Sequence, residues 1–203
     1  MKLIIASNNT HKITEIEALL AAISIDLPVV SLQEIGDVPE IVEDGTTFEE
    51  NAVKKVETIA KVAPNDYILA DDSGMSVDAL NGEPGVYSAR YAGDHDDQAN
   101  LDKVLQKLTQ FPKEQRTAHF NSVIALHSPK GSNLIVNGQV DGYITESERG
   151  QDGFGYDPIF FVPSMNKTFA EMSASEKNAI SHRGLALQEL GKKLPVWLEE
   201  NDG

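Results

Sequence analysis

Apolar residues recur at two spacings along the chain, and the switches between them outline alternating strands and helices. The opening run MKLIIAS is strand-like over about residues 2–7. Ile13, Ile16, Leu19, Leu20 and Ile23 then recur at helical spacing, which predicts a helix over about 12–22. A short strand near 28–32 gives way to the acidic loop EIGDVPEIVEDG. The next helix is marked at both ends: Thr47 and Glu50 fit a capping box, and Phe48, Ala52, Val56, Ile59 and Ala63 form an apolar stripe up to Pro64. YILA reads as a buried strand ending at DDSG, turn-rich NGEPG precedes VYSARYAG, and a helix is expected over roughly 96–109.

The second half is richer in β-pattern. TAHFNSVIALHSP and SNLIVNGQVDGYI flank the turn-forming PKGSN and predict an antiparallel hairpin. IFFV at 159–162 is a further strand, and a terminal helix is expected over about 178–193, with an extension through Trp197. The expected fold class is α/β, a mixed twisted sheet flanked by helices. No repeat, low-complexity tract or composition shift divides residues 1–203, so one domain is expected, in two lobes with the active-site cleft between them.

Composition narrows the setting. The chain of 203 residues is long enough for a substantial core, and 40% hydrophobic with 24% charged residues is the balance of a soluble globular protein. The absence of cysteine excludes disulfides and thiolate nucleophiles or ligands. The opening apolar run is too short for a signal peptide, and no stretch approaches the ~20 apolar residues of a membrane span, so a cytoplasmic protein without a membrane partner is expected. A formal charge of −15 argues against a non-specific nucleic-acid binder, which needs a basic face. A small anionic ligand remains open, because it requires only a local group of cations or a metal.

Four stretches carry candidate chemistry. SNNTHK, residues 7–12, ends a strand on small polar residues and a lysine. It fits an ordinary N-capped turn first, and also a cradle of N–H groups, amides and one cation for phosphate. DDSG sets Asp71 and Asp72 at the carboxyl end of a strand, where α/β proteins favour ligand sites; if the strand continues, the two point to opposite faces. Either a plain turn or a Mg²⁺-holding carboxylate suits it. In GQDGFGYDPIFF, Phe154 and Tyr156 could stack on a nucleobase and Asp157 accept from its N–H groups, or the rings could cap the core. SASEKNAISHRG brings Lys177, His182 and Arg183 within seven residues, but on one continuous helix they do not share a face. For all three to reach one ligand, Lys177 must sit before or at the helix start.

In order, these stretches resemble the inosine triphosphate pyrophosphatase family, also called HAM1-like. The resemblance runs through nearly the whole chain. It rests on SNNTHK in place of the family's Thr/Ser-x-Asn-x-x-Lys turn, on TFEENAVKK, on ADDSGMSVDALNGEPGVYSARYAG, on GFGYDPIFF and on EKNAISHRG. It implies hydrolysis of ITP, dITP and XTP to the monophosphate and pyrophosphate with Mg²⁺, removing deaminated purines from the nucleotide pool, by a homodimer. Asp72 would be the catalytic carboxylate and metal ligand. Ser7, Asn8, Asn9, Thr10, His11 and Lys12 would bind the triphosphate, and Ser73 would touch substrate. Phe154, Gly155, Tyr156 and Asp157 would line the base pocket, completed by Lys177, His182 and Arg183. Where some relatives carry EETG, whose first Glu is a second metal ligand, the ungapped match here is VEDG. That places Val42 at the ligand position, with Glu43 beside it. Donors from His182, Arg183 or the backbone would pair with a purine 6-carbonyl and be left unpaired against adenine, at about 1–3 kcal/mol each. A sister class acting on pyrimidine or methylated nucleotides, a non-enzymatic nucleotide sensor, and a purely structural or interaction module are the competing readings.

Overall fold

The computed structural model describes residues 1–7, 10–93 and 96–201, with the side chains of 10–12 outside that description. Its strands are β1 (Leu3–Ile5), β2 (Val29–Ser31), β3 (Tyr67–Val77), β4 (Thr117–His127), β5 (Asn133–Ile144), β6 (Phe160–Val162) and β7 (Lys167–Thr168). Its α-helices are α1 (Thr10–Ala22), α2 (Phe48–Ala60), α3 (Asp97–Lys107), α4 (Ala174–Ile180) and α5 (His182–Asn201). The strands form one mixed sheet in the order β2-β1-β3-β4-β5-β6-β7. β1 pairs in parallel with β2 and β3, whereas β5–β6 and β6–β7 are antiparallel. The expected hairpin is β4–β5, closed where the Ser128 N–H donates to the Ser132 carbonyl at 2.9 Å.

The chain divides into two compact units, Met1–Asp72 with Val123–Asn137 and Ala186–Gly203, and Ser73–Ser122 with Gly138–Leu185. In the first unit the strands are buried on both faces, so alternate side chains serve different layers. Leu3, Ile5, Tyr67, Leu69, Ile124 and Leu126 pack against Ile16 and Leu20 of α1 and Ala186, Leu190 and Leu194 of α5. Ile4, Ile68, Ala70, Val123 and Ala125 pack against Ala52, Val56 and Ile59 of α2. The second unit has its own core, in which Met75, Val77, Phe120, Phe160 and Phe169 meet Leu101, Val104 and Leu108 around α3.

Two boundaries differ from the sequence reading. β3 does not stop at DDSG but runs to Val77, because Met75 and Val77 continue the alternation into the second unit's core and are fully buried there. Burial and strand pairing override the turn preference of Asp-Ser-Gly. The expected single terminal helix is two helices, interrupted at Ser181, whose backbone is extended (φ −67°, ψ 158°).

Candidate active site

Strand alternation decides where Asp72 points. It shares the face of Ile68 and Ala70, and therefore looks toward α2. That helix starts where expected: the Thr47 side chain accepts from the Glu50 N–H at 3.1 Å, and Glu50 Oε2 accepts the Thr47 N–H at 3.2 Å. The capped first turn presents Asn51, and the next turn presents Lys55 on the same side, four residues on. Asn51 is fully buried; its Oδ1 accepts from the Gly45 N–H at 2.8 Å and its Nδ2 donates to Asp72 Oδ2 at 3.2 Å. Lys55 Nζ donates to Asp72 Oδ1 at 2.9 Å and to the Asp71 carbonyl at 3.2 Å, and pairs with Glu43 Oε2 at 3.2 Å.

Burial pushes the Asp72 carboxyl above its ordinary value, against the pull of the Lys55 ammonium and the Asn51 amide. For Lys55, burial works against the charge, but Asp72, Glu43 and Asp71 outweigh it and hold the ammonium above its ordinary value. A proton acceptor at Asp72 is thereby moved toward the working pH range. Removing the Asn51 donor removes one of the influences that favour the ionised form. If Asp72 is the proton acceptor of a catalysed reaction, Asn51→Leu moves the acid limb of kcat/KM to higher pH, read from a pH–rate profile beside the parent protein.

β1 ends at Ile5, opposite Leu69 of β3, and the chain turns directly after it. The Ala6 N–H donates to the Leu69 carbonyl and the Ser7 N–H to the Ile5 carbonyl, each at 2.7 Å. Asn8, Asn9 and the side chains of Thr10, His11 and Lys12 lie outside the described residues.

Among the described residues no group of three or more His, Cys, Asp or Glu side chains is arranged to hold a metal ion. The donor set nevertheless fits Mg²⁺, which takes one or two protein carboxylates and completes its shell with water and phosphate oxygens. Asp72 and Glu43 converge on one cation, the Lys55 ammonium. Val42, which the sequence resemblance sets at a second metal-ligand position, is an exposed hydrophobic side chain; the neighbouring Glu43 is the carboxylate that reaches Lys55.

The second unit gathers the other candidates. Gly153 has φ +82°, and a Cβ there would fall 2.1 Å from Asp157 Oδ2. This close approach lets Asp157 Oδ2 accept the Phe154 N–H at 2.8 Å. Lys177 Nζ donates to the same oxygen at 2.5 Å and lies 4.8 Å from the centroid of the Phe154 ring. Burial pushes the Asp157 carboxyl up, opposed by Lys177, the Phe154 N–H and the Arg183 charge. Phe154 and Tyr156 take different roles. Phe154 is 64% exposed, whereas Tyr156 is buried and donates its hydroxyl to the Ser88 carbonyl at 2.8 Å. Burial also raises the Tyr156 phenol. Phe154 is thus the exposed ring of the two, and Tyr156 supports the loop from within the core. Asp157 is 2% exposed and already accepts from two internal donors, so it fastens the loop.

The break at Ser181 resolves the geometry of the third group. A capping box of Ser173 and Glu176 starts α4, which carries Lys177, and α5 then begins at His182, so His182 and Arg183 occupy its first turn. The His182 ring stacks on Phe120 at 4.6 Å with the planes 10° apart. Gly184 lies against α4: a Cβ there would stand 1.9 Å from the Asn178 carbonyl oxygen. Gly184→Ala is expected to cost about 1–3 kcal/mol in urea denaturation, because the backbones must separate. Ser73, half-buried on β3, follows Asp72 and opens the second unit.

Asn51 and Lys55 lay within TFEENAVKK without an assigned role. Their signal was present: two polar residues at i and i+4 interrupt the buried side of an amphipathic helix, and such residues require polar partners.

Sheet order and the helices on its faces define an α/β protein. The chain belongs to the Ham1 family, whose model matches residues 3–193. It is 96% identical over 199 residues to a dITP/XTP pyrophosphatase of Leuconostoc mesenteroides, covering 98% of this chain and 99% of that protein. It is 53% identical over 192 residues to the dITP/XTP pyrophosphatase of Bacillus subtilis, covering 94% and 96%. The Ham1 protein of Staphylococcus aureus superposes with a TM-score of 0.89 at 42% identity, over 97% of this chain and all of that one. A HAM1 protein from Coxiella burnetii gives 0.90 at 42% identity, over 97% and 99%.

Proposed function

We propose that this protein is a nucleoside triphosphate pyrophosphatase that hydrolyses dITP, ITP and XTP to the monophosphate and pyrophosphate. The observation that carries the reading is the buried Asp72 at the carboxyl side of the parallel strands, hydrogen-bonded by Lys55 and Asn51, in a chain so similar to dITP/XTP pyrophosphatases. Water attacks the α-phosphorus and pyrophosphate leaves, a reaction governed by positioning and charge stabilisation. Asp72 accepts the proton of the attacking water, and its burial raises its basicity for that task. Lys55 keeps the Asp72 carboxylate oriented and offsets its charge beside an incoming polyanion. Asp72, with Glu43, would hold Mg²⁺, which when bound neutralises phosphate charge and supports the leaving pyrophosphate. Ser7 to Lys12 bind the triphosphate, and Lys12 supplies positive charge there. Phe154 stacks on the base, and Lys177, His182 and Arg183 complete its recognition.

We further propose that the protein is a cytoplasmic, Mg²⁺-dependent homodimer. Among the described residues no helix is long and apolar enough to cross a membrane. Sedimentation velocity reads the oligomeric state, and EDTA titration reads the metal requirement. The primary test is chromatographic separation of products after incubation with Mg²⁺ and ITP, with ATP and GTP in parallel. IMP plus pyrophosphate, with ATP and GTP nearly untouched, supports the reading. IDP plus phosphate overturns attack at the α-phosphorus, and absence of turnover by folded protein favours the sister class or a sensor.

A further inference from the structure

The first turn of α3 reaches the loop that carries Phe154. Asp96 caps that helix, accepting the Ala99 N–H at 3.0 Å. The neighbouring Asp97 carboxylate is turned to a distant segment and accepts the Gly155 N–H at 2.9 Å. Gln98 Nε2 donates to Glu148 Oε1 at 2.9 Å, a second tie from the same turn to the segment leading into the loop. The turn itself is firmly seated: buried Asn100 accepts the Ala92 and Gly93 N–H groups at 2.6 and 3.1 Å and donates to the Ala89 carbonyl at 3.2 Å. The exposed Phe154 ring has the Lys177 ammonium 4.8 Å from its centroid, and its backbone is tied on either side, where the Phe154 N–H goes to Asp157 and the next N–H to Asp97. Gly155 has φ +59°, a left-handed conformation that glycine adopts without steric cost, and its N–H is held there by Asp97.

We propose that Asp97 is a positioning residue for Phe154, fixing the ring that stacks on the base and thereby setting affinity for the nucleotide. This rests on the reading of Phe154 as a base-stacking residue. Asp97 works through the Gly155 N–H and takes no part in hydrolysis.

Steady-state kinetics on ITP test the proposal with Asp97→Ala, Asp97→Asn and Phe154→Ala, each checked by thermal melting, alongside the Gly155 amide followed by NMR hydrogen exchange. Asp97→Ala is expected to raise KM about three- to tenfold, the scale of one charge-assisted hydrogen bond lost at a partly exposed site, with kcat changed less than KM. Its Gly155 amide should exchange faster. Asp97→Asn, whose side-chain carbonyl can accept the same N–H, should stay near the parent in both readouts. If Phe154→Ala raises KM while Asp97→Ala leaves it unchanged, Asp97 does not position the ring, and the base-stacking reading survives. If Phe154→Ala leaves KM unchanged, the stacking reading and the proposal both fail.

Discussion

Asp72→Asn lowers kcat for ITP hydrolysis by about 10²- to 10⁴-fold, the range spanned by a positioned proton acceptor. The asparagine keeps an oxygen for Lys55 Nζ and preserves much of the buried hydrogen-bonding pattern, so the folded state persists. What disappears is the negative charge and the capacity to take a proton. Steady-state kinetics beside circular dichroism separate these effects. A folded variant that retains more than a tenth of the parent kcat would show that proton acceptance lies elsewhere. Asp72→Ala is the harsher control, because it leaves Lys55 and Asn51 facing an empty position.

The second large effect is on stability. Lys55→Met removes the cation shared by Asp72 and Glu43 and leaves a carboxylate buried without its charge partner. Lys55 and Asp72 are each 9% exposed, so solvent screens the loss weakly. The expected penalty is about 3–5 kcal/mol, measured by urea denaturation near neutral pH. Combining Lys55→Met with Asp72→Leu removes both charges, and the double variant should recover part of that loss, because no desolvated charge remains while the buried Asn51 Nδ2 loses its acceptor. A single variant within about 1 kcal/mol of the parent would mean that this pair is solvated like an exposed surface ion pair. The double variant is expected to be inactive although it folds, which separates the proposed catalytic role of Asp72 from its structural one.

Much of the fold was legible because its signals are local. The Thr47–Glu50 capping box, the stripe through Ala52, Val56 and Ile59, and the hairpin around PKGSN each announce an element within a few residues. β3 was read too short because DDSG has turn-like composition, and its extension depends on Met75 and Val77 finding a core formed by distant residues. The helix break at Ser181 had a partial signal in the Ser173–Glu176 capping box, which marks a helix start well before His182. The roles within GFGYD were harder to divide. Two aromatic residues two positions apart look equivalent in sequence, and only the buried hydroxyl bond of Tyr156 to Ser88 separates support from presented surface. Lys55 was legible in principle as a cation on a buried helix side, but its partner lay in a different motif, 17 residues further along.

The alternation along β3 limits which changes in length this chain can tolerate. Inserting or deleting one residue between the register-fixed Tyr67 and Asp72 would rotate the carboxylate to the side covered by α1 and α5, away from Lys55. The same slip would exchange Ile68 and Ala70 with Leu69 between layers, although any of these residues alone could be replaced by one of similar size. Descendants of this sequence can therefore drift in side chain along that strand much more freely than in residue count.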